Sequence, residues 1–141
     1  MKKSRFRSSG IIVFVCILCF MLLSGCSGQQ LSADFNETDV KNAAETVVDL
    51  INAQDSKGIL AICTVQMKDA LTDDVLAKIY EAISEGGKFE KVEEMSIAGA
   101  TDQSSQEEYA VVVLKAKYEI RNFVYTISLT KQMKLAGLYY K

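Results

Sequence analysis

Apolar residues along this chain follow three different patterns. An almost unbroken apolar run from Ile11 to Leu23 comes after a basic start. Between residues 38 and 83, apolar residues recur at steps of three and four, which is the period of an amphipathic helix. From residue 89 to residue 140 they alternate with polar residues, which is the period of a half-buried strand. The patterns predict a leader, then helices, then a sheet.

The first helix is predicted from about Thr38 to Ala53. Asn36 or Thr38 can cap it, because a side-chain oxygen at this position accepts from the free N–H groups of the first turn. The apolar positions form a single stripe on one face. They are Val40, Ala43, Ala44, Val47, Val48 and Ile51.

Shorter helical segments follow the first helix. Asp55 is positioned to cap a second helix, and residues 64–70 add another turn. Thr72, followed by two acidic residues, is a strong start signal for a longer helix. Gly86-Gly87 ends that helix, since glycine readily adopts the left-handed conformation found after helix C-termini.

Four strands are predicted in the second half, at Phe89–Ile97, Glu108–Glu119, 123–130 and Leu135–Tyr140. Phe89 and Val92 are both apolar but are separated by three positions, so a regular strand would place them on opposite faces. A bulge between them would bring both side chains to the same face. A polar loop is expected over residues 99–106. Helices followed by an antiparallel meander are typical of an α+β fold, with the N-terminal helices packed on a curved four-stranded antiparallel sheet.

The register between the second and third strands follows from the loop that joins them. A tight turn at Arg121-Asn122 would pair Tyr118 with Tyr125 and Ala116 with Ile127. This register places the apolar residues of both strands on one face, as burial requires.

The first 26 residues have the features of a secretion signal. A basic start and an apolar segment of roughly 7–15 residues, closed by small residues, are typical of a signal peptide. The run is too short for a spanning helix, which needs about 20 apolar residues. Leu23-Ser24-Gly25-Cys26 resembles the bacterial lipobox. That resemblance implies cleavage between Gly25 and Cys26 and a diacylglyceryl group on Cys26.

The expected division of the chain is therefore a signal peptide over 1–25, the lipidated Cys26 with a flexible linker over 26–37, and the α+β domain over 38–141. We expect the protein to be held by its lipid on the extracytoplasmic face of the cell membrane of a Gram-positive bacterium. An uncleaved short anchor and ordinary secretion with a chance cysteine are the alternatives.

Composition narrows the possible functions. Without the four basic residues of the leader, the chain has 12 Lys and Arg against 18 Asp and Glu, a net charge of −6. Nucleic-acid binding needs a basic surface, so no nucleic-acid partner is expected. The chain has no histidine, which removes histidine-activated nucleophiles and histidine-ligated metals. We expect no cofactor.

Cys63 is the only cysteine after Cys26, and its apolar surroundings predict a small buried residue.

Several segments carry a resemblance to a known family. They are Asn52-Ala53-Gln54-Asp55, residues 67–72, residues 87–92 and residues 134–140. Over about Asp39 to Tyr140, this pattern resembles the domain of unknown function 3887, found in secreted and lipid-anchored bacterial proteins. The resemblance implies a cone-shaped, nuclear-transport-factor-2-like (cystatin-like) fold. It supplies no catalytic residues.

Folds of this cone type often hold a pocket between the first helix and the concave face of the sheet. Seven aromatic residues are candidates for lining it: Tyr80, Phe89, Tyr118, Phe123, Tyr125, Tyr139 and Tyr140. The alternative is that they fill the core, since aromatic residues at alternate strand positions suit any half-buried sheet.

Acidic residues are the remaining candidates for chemistry. Asp49, Asp55 and Asp73-Asp74 are better explained as helix surface and helix caps than as acid–base pairs. Glu90, Glu93 and Glu94 lack the loop spacing of a calcium site, so no metal site is expected.

Two functions are consistent with these observations. The first is a non-catalytic binding module, anchored in the membrane through Cys26, whose partner is an envelope protein, a wall component or a small apolar ligand. The second is a small pocket enzyme, such as an isomerase, dehydratase or hydrolase, that uses a buried carboxylate beside Tyr118 or Tyr125. The sequence does not indicate an oligomeric state.

Overall fold

The computed structural model describes residues 28–141. Four helices precede four strands, and the helices pack against one face of an antiparallel sheet, which confirms the predicted α+β class. The predicted signal peptide, the predicted cleavage site and Cys26 lie outside the described residues. Within those residues, no helix is long and apolar enough to cross a membrane. The elements are α1 (Glu37–Asn52), α2 (Ser56–Ile62), α3 (Val65–Ala70), α4 (Asp73–Ser84), β1 (Phe89–Thr101), β2 (Glu108–Tyr118), β3 (Asn122–Leu129) and β4 (Leu135–Tyr140).

Each helix begins at a side chain that caps it. Asn36 Oδ1 accepts from the backbone N–H groups of Thr38 and Asp39 at 2.9 and 3.2 Å. The side chains of Asp55, Thr64 and Thr72 accept in the same way at the starts of α2, α3 and α4. These residues satisfy N–H groups that have no partner inside the helix. The predicted helix starts are confirmed.

The sheet is a meander in the order β1-β2-β3-β4. Alternate residues of β2 and β3 face the helices and are almost completely shielded from solvent, and the stripe on α1 covers them. Burying this surface is the main force that holds the two layers together. The core residues of the two strands are Ala110, Val112, Leu114, Ala116, Tyr118, Phe123, Tyr125, Ile127 and Leu129.

The predicted register between β2 and β3 was wrong by two residues on each strand. Leu114 pairs with Tyr125, and Ala116 pairs with Phe123. The loop after Tyr118 is held in place from outside the hairpin, because Glu119 N donates to Lys88 O at 3.0 Å and Ile120 N donates to Gly86 O at 2.8 Å. Two residues on each strand make a relative shift of four, and an even shift keeps every side chain on its face, so the predicted buried face is correct.

Strand β1 is longer than predicted. It continues past Ile97 to Thr101, so residues 99–101, expected to be loop, belong to the sheet. Gly99 pairs with Ala110 of β2, and its N–H donates to Gln29 O at 2.6 Å. The strand is irregular between Phe89 and Lys91 and again between Val92 and Glu94, which confirms the predicted bulge.

The segment before α1 is packed against the domain. Gln29 bridges to Gly99, Asp34 pairs with Lys131 at 2.6 Å, and Phe35 is buried in the core. Residues 29–35 belong to the linker expected over residues 26–37, and these contacts hold them against the domain. Lys131 also pairs with Glu108 at 2.7 Å, so one lysine joins the segment to the start of β2.

Candidate functional site

A cavity of about 310 Å³ opens where the ends of α1 and α4 meet the start of β1 and the end of β2. Its walls are mixed, with aliphatic and aromatic side chains beside amide, hydroxyl and backbone groups. Pockets for small ligands have this composition and begin at about 300 Å³. The lining residues are Ile51, Asn52, Gln54, Tyr80, Ile83, Ser84, Gly87, Lys88, Phe89 and Tyr118.

Some of the aromatic residues predicted to line a pocket do so. Tyr80, Phe89 and Tyr118 line the cavity, whereas Phe123 and Tyr125 are buried in the core. Tyr140 is partly buried at the edge of the core, with its ring 6.4 Å from that of Phe123. Tyr139 is 61% exposed, and its position opposite Thr126 places it on the face of the sheet away from the helices.

Edge-to-face contacts connect the cavity wall to the core. The ring of Phe89 lies 5.4 Å from that of Tyr118, which in turn lies 5.2 Å from that of Phe123. Such pairs stabilise a fold by about 0.5–1.5 kcal/mol beyond the area they bury. They fix the orientation of the Tyr118 ring.

A chain of three polar side chains forms one wall of the cavity. The Tyr118 hydroxyl donates to Asn52 Oδ1 at 2.8 Å and lies 2.7 Å from the Tyr125 hydroxyl. Because Tyr118 donates its only proton to Asn52, Tyr125 donates to Tyr118. Asn52 is the last residue of α1, and so it joins that helix to the sheet.

Asn52 Nδ2 is shielded from solvent and has no hydrogen-bond partner. Turning the amide by 180° would exchange the two ends but would still leave one without a partner. Buried polar groups in folded proteins are almost always paired, so an unpaired one at a cavity wall calls for an ordered water or a ligand atom.

Sequence reasoning missed the role of Asn52, although the pattern contained a signal. Val40, Ala44 and Val48 are buried at four-residue steps along α1, and Asn52 is the next position in that series. An amide at a position where the pattern calls for an apolar residue marks a buried polar contact.

The two tyrosines of this network are hydrogen-bonding groups and not bases. Burial raises the pKa of the Tyr118 hydroxyl above its ordinary value of 10. Burial, assisted by the bond to Tyr118, raises the pKa of Tyr125 further. Both phenols therefore stay protonated at physiological pH. Among the described residues, no Asp or Glu lines the cavity, and the side chain that meets Tyr118 is an amide.

Three of the acidic residues considered from sequence, Asp55, Glu90 and Glu93, make structural contacts. Asp55 Oδ1 accepts from Gly58 N at 2.8 Å as a helix cap. Glu90 pairs with Lys117 at 2.6 Å and Glu93 with Lys115 at 3.0 Å, across β1 and β2. Residues 28–141 contain no cluster of three side chains that could hold a metal ion. Cys63 is buried as predicted, and burial raises the pKa of its thiol.

Comparison with known proteins identifies a family and a fold. The sequence profile of a family described as "Protein of unknown function (DUF3887)" matches residues 44–138. An NMR structure of a protein from Ruminococcus gnavus ATCC 29149 has a similar fold, with a TM-score of 0.70 at 18% identity. The match covers 79% of this chain and 96% of that one. None of the curated proteins matches this chain.

Proposed function

We propose that this chain, which belongs to the DUF3887 family, is a lipid-anchored extracytoplasmic protein whose domain binds a small ligand in the cavity beside Asn52. The observation that carries the binding role is the cavity that Asn52 lines, beside a side-chain Nδ2 that has no hydrogen-bond partner. This atom is shielded from solvent, so a ligand acceptor would reach it through a small rotation of the side chain, and the bond would recover the roughly 1–3 kcal/mol that an unpaired buried donor costs.

The walls indicate the chemical class of the ligand. Ile51, Ile83 and Phe89 supply apolar surface, and Asn52 supplies a hydrogen-bond donor. Tyr118 beside it is neutral, and Lys88 places a positive charge at the same wall, so the polar part of the cavity favours a carbonyl or carboxylate oxygen. The ligand is therefore a small, mostly apolar molecule with one oxygen acceptor.

Anchoring is supported by the sequence of the leader. The basic start, the apolar run and Leu23-Ser24-Gly25-Cys26 together form a lipoprotein signal. Two acyl chains suffice for stable membrane attachment. The lipid keeps the domain at the outer face of the membrane, where ligands from the envelope reach it.

The ligand claim is tested with two probes of the same shape. Acetophenone carries a carbonyl acceptor, and α-methylstyrene, which has a CH₂ group in place of the carbonyl oxygen, does not. Each is titrated into the purified chain in detergent micelles, with binding followed by NMR shifts of the Asn52 side-chain amide. We expect acetophenone to bind at least several-fold more tightly, because only its carbonyl pairs with Nδ2. Equal affinity of the two probes would contradict the proposal.

Three variants locate the binding. Asn52→Leu should abolish the preference for acetophenone, because it removes the donor. Ser84→Trp should block both probes, since Ser84 is an exposed residue at the cavity wall. Val65→Ala is the matched control, because Val65 is 72% exposed on α3 and does not line this cavity. Probe binding that survives Ser84→Trp would place the site elsewhere.

Anchoring has an independent test. Cys26→Ser should abolish metabolic labelling with radioactive palmitate, because the thiol that accepts the lipid is gone. The chain should also remain unprocessed or be released from the membrane fraction. Unchanged labelling would refute the lipid attachment at Cys26 and leave the ligand claim standing.

A further inference from the structure

We propose that the outer face of the sheet lies against the headgroups of the membrane that holds the lipid of Cys26. The outer face is the side turned away from the helices. Its uncharged part is formed by Ser96, Ala98, Val111, Val113, Thr126, Ser128, Gly137 and Tyr139, and Glu94, Lys115 and Lys117 continue it toward the Phe89 end of the sheet. This inference rests on the proposed anchoring and concerns the orientation of the domain on its anchor.

No helix or loop of the described chain buries this face. Val112 is fully buried against the helices, so its neighbours Val111 and Val113 point the other way. Val113 is 41% exposed and Tyr139 is 61% exposed. The strand register places Val113 between Ser96 and Thr126, with Tyr139 next in the same row. The result is a strip of small, apolar and hydroxyl side chains across all four strands.

The described chain begins at this face. A Cβ placed on Gly28 would lie 3.0 Å from Ala98 Cβ, and Ala98 is paired with Val111 on the outer face. The next residue, Gln29, is bonded to Gly99 through the backbone, and its side chain lies 3.1 Å from Thr101 Oγ1. The point where the chain meets its anchor is therefore fixed beside Ala98.

The remaining tether is very short. Only two residue steps separate Cys26 from Gly28, and they span at most about 7 Å when fully extended. A free nine-residue linker would average about 17 Å. With so short a tether, the surface around Ala98 stays next to the lipid headgroups, which favours an orientation with the outer face toward the membrane and the helices away from it.

The charge distribution favours the same orientation. Residues 37–85, which contain the helices, have ten Asp and Glu against four Lys, a net charge of −6. Residues 86–141, which contain the sheet, have eight Lys and Arg against seven Asp and Glu, a net charge of +1. Anionic lipids repel acidic surfaces, so the helical layer is directed away from the membrane.

The side chains of the outer face suit a headgroup layer. Its part nearest the anchor is uncharged, and the charged residues Glu94, Lys115 and Lys117 lie toward the Phe89 end. Tyr139 is exposed in the strip, and tyrosine is enriched at membrane–water interfaces because its ring is apolar and its hydroxyl polar. The cavity lies at the Phe89 end of β1, ten residues or about 30 Å from the anchor end at Gly99. Membrane contact at this face therefore leaves the cavity available for ligands.

Site-specific photocrosslinking tests the orientation in the full lipidated chain. The photoreactive residue p-benzoylphenylalanine replaces Val113 or Tyr139 on the outer face, or Val65 on α3 as an exposed control. The protein is reconstituted into vesicles of phosphatidylglycerol and phosphatidylethanolamine and irradiated. We expect lipid adducts from positions 113 and 139 at several times the level from position 65. Equal yields, or a higher yield from position 65, would overturn the proposal.

A second variant separates orientation from anchoring. A twelve-residue Gly-Ser insertion between Ser27 and Gly28 leaves Cys26 intact but frees the domain, so the preference for positions 113 and 139 should fall while the protein stays with the vesicles. If the parent chain does not attach to vesicles, the proposed lipid anchoring is wrong, and the proposed orientation on the membrane is wrong as well. Crosslinks between two copies through position 113, in place of lipid adducts, would show that a second copy covers the face.

Discussion

Replacing Tyr118 with phenylalanine tests the polar network at the cavity wall. Tyr118 is the middle member, bonded to Asn52 at 2.8 Å and to Tyr125 at 2.7 Å. Tyr118→Phe removes both bonds at once and leaves the Tyr125 hydroxyl unpaired at a site with no solvent exposure. Each orphaned buried group costs about 1–3 kcal/mol, so a loss of about 3 kcal/mol of unfolding free energy is expected.

The two partner variants should behave differently. Tyr125→Phe removes only the terminal hydroxyl and leaves the bond from Tyr118 to Asn52 intact, so its cost is about 1 kcal/mol. The double variant Tyr118→Phe/Tyr125→Phe no longer contains an orphaned tyrosine hydroxyl. It should therefore be about 1 kcal/mol more stable than Tyr118→Phe alone, although it carries one more substitution.

Equilibrium urea unfolding, followed by circular dichroism, measures all three variants beside the parent chain. The expected order of stability is parent, Tyr125→Phe, the double variant and then Tyr118→Phe. Costs that simply add, or a Tyr118→Phe variant no less stable than Tyr125→Phe, would show that the hydroxyls do not form the network described above.

Other predictions concern the core, the docked segment and a loop. Ile127→Asp should unfold the domain, because Ile127 is fully buried and an unpaired core charge costs several kcal/mol; a near-parent melting temperature would contradict this burial. Gly99→Val should expose the segment around Gln29 to protease, since its side chain would meet Gln30 O; unchanged protection would refute the docking. Bonds from Ser104 and Ser105 lower the pKa of Asp102 from 3.8 to about 2. The stability they give is therefore present above pH 4 and is lost as the pH falls through 2. NMR titration of the carboxyl should show this midpoint, and one near 4 would show that the bonds are absent in solution.

The helices and the buried face of the sheet could be predicted from sequence because both depend on local pattern. The caps at Asn36, Asp55 and Thr72 act on their own helices. The buried face of β2 and β3 depends only on the two-residue period. The buried face is therefore the same in the predicted and the observed pairing, because the two registers differ by four residues, an even number.

Features set by distant contacts could not be predicted. The hairpin loop is positioned by Gly86 and Lys88, more than thirty residues earlier in the chain. The segment at Gln29 is held by Gly99, seventy residues later. No local pattern in the N-terminal segment specifies such a partner, and its small polar residues are equally typical of a linker.

The candidate site was predictable only in part. Three of the aromatic residues proposed from sequence do line the cavity, because strand alternation assigned Tyr118 to the concave face and the helical stripe assigned Tyr80. Alternation cannot distinguish a residue at the cavity wall from one deep in the core, as for Tyr125. The contact between Asn52 and Tyr118 joins a helix end to a strand sixty-six residues away.

The central claim is that an anchored domain carries a ligand in the cavity beside Asn52. Native mass spectrometry of the protein, purified gently from bacterial membranes, tests both parts of this claim at once. The expected mass is that of a chain that begins at a diacylglyceryl-modified Cys26 and carries an additional small molecule, and the Ser84→Trp variant should lack that molecule. A chain without lipid at Cys26, or an added mass that Ser84→Trp retains, would contradict it.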